Sequence, residues 1–249
     1  MSRLAALVPA AMCAAALGRR WPDDLDGQVR CIDEGSRALG LAYCCAPTTD
    51  ETPQADAVTA GLVATPGALS VLGVVRGPLS NELLSETHRR GEQLAGSSAL
   101  QDAQEFLDDA SDAAVDTIRA LGACGVRRVA VVEGASASWP GGDAAAESHR
   151  PLLNAAAHLR MDLVLIATGL EDVESLDYDR WACAGGCSPG LGFLRAEAFD
   201  SASTLDHWLD RIRACGDLGE VIPPPLDAGV SPELVRHASW VLSGEVARP

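Results

Sequence analysis

Apolar positions along the chain follow two alternating patterns. Short, nearly continuous apolar runs recur, separated by longer stretches whose apolar residues return every three to four positions. The first pattern predicts strands over Leu41–Cys45, Leu69–Val75, Val126–Val132, Asp162–Ala167 and Glu220–Ile222. It marks weaker strands over Arg180–Ala184 and Leu191–Ala196. The second pattern predicts helices over Gln28–Leu39, Ala55–Val63, Asn81–Leu94, Leu100–Leu121, Ala144–Leu159 and Thr204–Cys215. In the fourth of these, Phe106, Leu107, Ala110, Ala114, Ile118 and Leu121 form one stripe and acids occupy the opposite side. A last helix opens at Ser231-Pro232-Glu233, with Ser as N-cap, Pro at the first helical position and an acid in the first turn.

The segment Met1–Leu17 is ambiguous. Leu4, Val8, Met12 and Ala15 lie three to four apart, which predicts an N-terminal helix ending at Gly18 and a lead-in to residue 28. Its single Arg and apolar run also resemble a weak secretory signal, but Pro9 interrupts that run. We therefore expect a structural segment and a cytoplasmic protein.

Strands alternating with helices imply parallel pairing through helical crossovers, and apolar runs this continuous imply strands covered on both faces. No glycine-rich fingerprint follows a strand, which disfavours a dinucleotide-binding domain. Seven or eight strands in one domain of 249 residues fit a (β/α)8 TIM-type barrel, with its N-terminal part the least complete.

Composition narrows the function. The formal net charge is -16 and all 19 basic residues are arginine. A field of that sign repels nucleic acid and acidic membranes, so neither is an expected partner. Without a lysine there is no Schiff-base chemistry and no P-loop. No run is long and apolar enough to span a bilayer. The eight cysteines are too sparse for a disulfide scaffold and read mainly as small buried hydrophobes.

From Leu69 onward, several segments resemble the uroporphyrinogen decarboxylase and cobalamin-dependent methyltransferase superfamily. Val71-Leu72-Gly73-Val74-Val75-Arg76-Gly77-Pro78-Leu79 looks like its strand and Gly-Pro turn. The helix over 108–122 followed by Val129-Ala130-Val131-Val132-Glu133 is similar to its long helix and acid-terminated strand. Val164-Leu165-Ile166-Ala167-Thr168-Gly169 resembles the next strand, and Val221-Ile222-Pro223-Pro224-Pro225 with Val230-Ser231-Pro232-Glu233-Leu234-Val235 resembles the closing strand and helix. The resemblance implies a barrel, a lyase or methyltransferase activity, and pairing into homodimers. Its zinc methyltransferases carry His-x-Cys where this chain has Ile166 and Thr168, so that zinc site is not expected. Arg19-Arg20-Trp21-Pro22 is a faint echo of the decarboxylases' arginine-rich motif.

Barrel enzymes place their chemistry at the carboxyl ends of strands. Glu133 and Arg76 both end strands there and are the catalytic candidates: Arg76 to hold a substrate carboxylate, Glu133 to move a proton. The blander readings are a solvated loop acid and a structural ion pair. Cys44, Cys45, Thr168 and Trp181 are candidate substrate-binding residues. Cys183 and Cys187 form a Cys-x-x-x-Cys pair that could share a soft metal, although no His stands near. His88 and His149 read as solvated helix residues, and Asp177-Tyr178-Asp179-Arg180 as a polar cluster at the opposite, stabilising face. The expected activity is decarboxylation or proton transfer on a small carboxylate-bearing substrate, without zinc or an organic cofactor. The alternatives are methyl transfer and a non-catalytic binding or partner subunit.

Overall fold

A computed structural model describes residues 2–80, 97–134, 142–168, 173, 176–183, 186–215 and 218–244. The helix expected over 81–94, together with His88, lies outside the described residues.

The strands are β1 (Arg3–Leu4), β2 (Cys44–Cys45), β3 (Val71–Arg76), β4 (Arg128–Glu133), β5 (Asp162–Ala167), β6 (Trp181–Cys183), β7 (Gly186–Cys187), β8 (Leu191–Phe193) and β9 (Glu220–Ile222). The helices are α1 (Ala10–Ala16), α2 (Leu25–Ala38), α3 (Ala55–Ala64), α4 (Ser97–Ala123), α5 (Gly142–Leu159), α6 (Ala202–Ala214) and α7 (Pro232–Ser243). Short 3-10 turns follow β3 at Pro78–Ser80 and precede α6 at Ala196–Asp200.

Every strand pair is parallel except the β6–β7 hairpin, which the sequence pattern does not show. The strands form two hydrogen-bonded sheets, β2-β3-β4-β5-β6-β7 and β1-β9-β8, and the strand pairing among the described residues does not by itself close the expected ring. The amide of Ala42 donates to the Leu4 carbonyl at 2.9 Å, bridging the two sheets on one side.

Strand alternation sorts the core. In β4, Val129 and Val131 face the helical layer with Val75, Leu165, Ile118 and Leu152. Ala130 points the other way and packs with Leu72, Val164 and Ile166 against Leu4, Leu191 and Val221 of the smaller sheet. Both faces of the large sheet are therefore apolar, and each fully buried Leu, Ile or Val contributes roughly 1.5–3 kcal/mol.

The N-terminus corrects the expected helix over residues 1–17. Leu4–Val8 are all buried, and β1 pairs with β9 at Arg3–Glu220 and Leu4–Val221. Burial on both sides needs an extended chain, so the three-to-four spacing reflects a strand running into a helix. Pro9 caps α1 and forces the change of geometry. α1 then packs so tightly on α2 that a Cβ on Gly35 would stand 2.5 Å from Cys13 Cβ and 2.6 Å from the Cys13 carbonyl. The last helix begins as expected: the Ser231 hydroxyl accepts the Glu233 amide at 3.2 Å.

Candidate active face

The loops after β3, β4 and β5 all leave the carboxyl edge of the large sheet. Four hydrogen bonds stitch that edge together. Gly77 N donates to the Val132 carbonyl at 2.8 Å, and Gly134 N donates to the Ser80 hydroxyl at 2.5 Å. Thr168 donates its amide (3.0 Å) and its hydroxyl (3.2 Å) to the Glu133 carbonyl. Thr168 is thus committed to holding β5 against β4.

Arg76 and Glu133 end adjacent strands but do not converge. Register pairs Arg76 with Val132, one residue before Glu133, so alternation points the two side chains to opposite faces of the sheet. Arg76 is exposed, whereas Glu133 is 0% exposed. The carboxylate lies behind the sheet, under α5, and the expected shared opening is not formed.

What surrounds Glu133 was not expected from sequence. Its Oε1 accepts the Leu79 amide at 3.2 Å, and its Oε2 accepts the Ser80 hydroxyl at 2.6 Å. Nε2 of His149 lies 3.0 Å from Oε1 without meeting hydrogen-bond geometry. On its other side, His149 Nδ1 meets the Tyr178 hydroxyl at 2.8 Å. Burial and the neighbouring Glu133 charge push the Tyr178 phenol up, so it stays protonated. His149 is therefore fully buried and not solvated, and Tyr178 belongs to this network and not to a polar cluster at the other face. Helical spacing did signal it: His149 lies one turn beyond Ala145 and three residues before Leu152, on the buried face of α5.

The remaining candidates scatter. Cys45 donates to the Ala6 carbonyl at 3.4 Å, inside the apolar layer between the sheets. Cys44 faces α2 and donates to Asp33 at 3.7 Å. Burial pushes both thiols up to about 12. Trp181 is half-buried and packs on the helical side of β6. Cys187 pairs with Ala182, and Cys183 with Gly186, so alternation places the two thiols on opposite faces of the hairpin. No group of three or more metal-ligating side chains occurs among the described residues.

The amino edge of the strands is occupied by an ion-pair cluster. Arg128 of β4 grips Glu220 of β9 through both guanidinium nitrogens, at 2.9 and 2.8 Å. Arg180 reaches the same carboxylate at 2.9 Å and Asp162 at 3.2 Å. Tyr43 donates to Glu220 at 2.5 Å while its ring lies 4.8 Å beneath the Arg128 guanidinium. Burial alone would raise the Glu220 carboxyl, but the bonds from Arg128 and Tyr43 outweigh it and hold it below the usual range. Burial, followed by the hydrogen bond and charge of Glu220, pushes Tyr43 up to about 12. This cluster ties four strands or strand starts of the large sheet to the small sheet. Arg180 thus sits at the stabilising face, as its position before β6 suggests.

No family model matches the chain, and no curated protein matches it. Among solved structures, a methyltransferase from Methanosarcina mazei superposes with a TM-score of 0.69 at 10% identity, over 98% of this chain and 94% of that one. D-allulose 3-epimerase from Methylomonas sp. gives 0.52 at 11% identity, over 99% of each chain. No helix among the described residues is long and apolar enough to cross a membrane. These likenesses establish an α/β fold with a parallel sheet and TIM-barrel-type neighbours, and they do not single out the uroporphyrinogen decarboxylases.

Proposed function

We propose that the whole chain is one barrel-type domain of methyltransferase type, whose carboxyl face takes a small carboxylate-bearing ligand with Arg76 as its anchor. The observation that carries this reading is the end-to-end superposition on the methanogen methyltransferase. Arg76 supports it: an exposed guanidinium ending a strand is suited to bidentate capture of a carboxylate. Decarboxylation is the weaker variant. Protonating a carbanion held by Arg76 needs an acid on the same face, and Glu133 is buried on the other. We assign Glu133 a positioning role: with Ser80 and Leu79 it fastens the loop that follows Arg76 to the end of β4.

A second reading, a non-catalytic binding subunit, is favoured by one feature. Ile166 is fully buried and Thr168 is bonded to β4, so neither position offers a ligand that would activate a thiol acceptor.

Two measurements separate the readings. Calorimetric titration with a panel of small mono- and dicarboxylates should find a binder whose affinity falls at least tenfold in Arg76→Met. Incubation of methylcobalamin with a thiol-bearing carboxylate of that class should then transfer the methyl group to the thiol sulfur, with loss of the thiol proton, giving a methyl thioether and the demethylated corrinoid, seen by its absorption spectrum. Binding without demethylation selects the subunit reading. Absence of any Arg76-dependent binder rejects both.

A further inference from the structure

A second concave site lies beyond β5 on the other side of the β6–β7 hairpin from Arg76 and Glu133 in the strand order. It is a groove of about 340 Å³ between the β6–β7–β8 segment and α6, lined by Cys183, Cys187, Phe193, Arg195, Trp208, Arg211 and Cys215 among others. Two features distinguish it. Two guanidinium groups lie against the Trp208 indole ring, Arg211 at 4.6 Å and Arg195 at 5.6 Å from its centroid. That makes a local cationic rim on a chain of net charge -16. Its wall also carries thiols from two distant segments, the half-buried Cys187 on β7 and the exposed Cys215 at the end of α6. Both thiols line this one groove, and burial raises the Cys187 thiol.

We propose that this groove is a thiol–disulfide exchange site for an acidic low-molecular-weight disulfide, with Cys215 as the attacking thiol and Cys187 as the resolving one. The arginine pair draws the carboxylates of the disulfide to the rim. The Cys215 thiolate, its proton lost to solvent, attacks one sulfur. The disulfide bond breaks, a protein mixed disulfide forms and the first small thiolate leaves. Cys187, deprotonated in turn, attacks the Cys215 sulfur and expels the second small thiolate. The protein loses two hydrogens and two electrons, and the small disulfide becomes two thiols. Cys187 is the poorer nucleophile because it is buried, which suits the second, intramolecular step. Cys183 also borders the groove, but alternation directs its side chain to the face of the hairpin opposite Cys187, so it is not the resolving thiol.

The test uses the full-length reduced protein, oxidised glutathione as the acidic probe and hydroxyethyl disulfide as the neutral one. Intact-mass and peptide mapping should find a Cys187–Cys215 disulfide. Cys187→Ser should stall at a mixed disulfide on Cys215, and Cys215→Ser should leave Cys187 reduced. Oxidised glutathione should lose about tenfold in rate in the Arg195→Gln/Arg211→Gln double variant while hydroxyethyl disulfide is unaffected, and its wild-type rate should fall as salt rises. A rate that rises with salt, equal reactivity of Cys124 and Cys215, or an unchanged product in Cys187→Ser would overturn the proposal.

Discussion

Removing Glu220 isolates what the ion-pair cluster contributes to joining the two sheets. The carboxylate is 15% exposed and Arg128 is 14% exposed, so neither is screened as a surface ion would be. Glu220→Ala leaves the Arg128 guanidinium buried, with Asp162 at 3.3 Å as its nearest remaining acid. Stranding one member of a buried pair costs about 3–5 kcal/mol, and the solvent that still reaches the cluster argues for about 3. For a chain of this length, 1 kcal/mol shifts Tm by about 2–4 °C, so Tm should fall by roughly 6–12 °C. Arg128→Met alone should cost a comparable amount, because it removes the bidentate partner of Glu220 and leaves it with Tyr43 and Arg180. The pair Arg128→Met/Glu220→Leu should recover much of the loss, since apolar replacement of both partners removes the unmet charge. Chemical denaturation at pH 7 of wild type, Arg128→Met, Glu220→Leu and the double variant measures the cycle, with Glu220→Ala read alongside. A Glu220→Ala cost below about 0.5 kcal/mol, or a coupling energy near zero, would refute the reasoning and return the cluster to the class of surface pairs.

Three further outcomes follow from the same packing and hydrogen bonds. Because the folded Glu220 carboxyl is held below its usual range, its contribution is fully present above the unfolded glutamate pKa of about 4.3 and is lost as pH falls through the folded value; the Tm gap between wild type and Glu220→Gln should be constant from pH 7 to 5 and narrow below about pH 4. Tyr178→Phe removes the partner of His149 Nδ1 at full burial and should cost about 1–3 kcal/mol by denaturant titration, against near zero if a water replaces the hydroxyl. Gly35→Ala drives a methyl into the Cys13 backbone and should destabilise by about 1–3 kcal/mol, whereas a helix-propensity argument alone predicts a gain of roughly 1 kcal/mol.

The order of strands and helices was legible because both periodicities are strong where burial is complete. Val129–Val131 and Leu163–Ala167 are apolar at every position because helices cover one face and the smaller sheet covers the other. The N-terminal strand was misread since Leu4, Val8 and Met12 satisfy a helical spacing by coincidence, and only pairing with β9, over two hundred residues away, makes Arg3–Leu4 extended. The β6–β7 hairpin was missed because two-residue strands carry no period. The candidate site divides in the same way. That Glu133 ends a strand can be read locally, but the face it takes depends on register, and register is set by pairing with β3 and β5. His149 looked solvated because histidine beside arginine usually is, whereas its position on the Ala145–Leu152 stripe was the better guide. The Glu220 cluster joins residues 43, 128, 162, 180 and 220, and no local pattern could have announced it.

The division of labour between Arg76 and Glu133 is tested most directly by pairing ligand calorimetry with thermal denaturation for Arg76→Met and Glu133→Gln. The account predicts that Arg76→Met loses carboxylate binding at unchanged Tm, because its side chain is exposed, while Glu133→Gln lowers Tm by several degrees and leaves affinity within a few-fold of wild type once folded. Loss of binding in Glu133→Gln at an unchanged Tm would contradict it, by placing that carboxylate in the ligand's path after all.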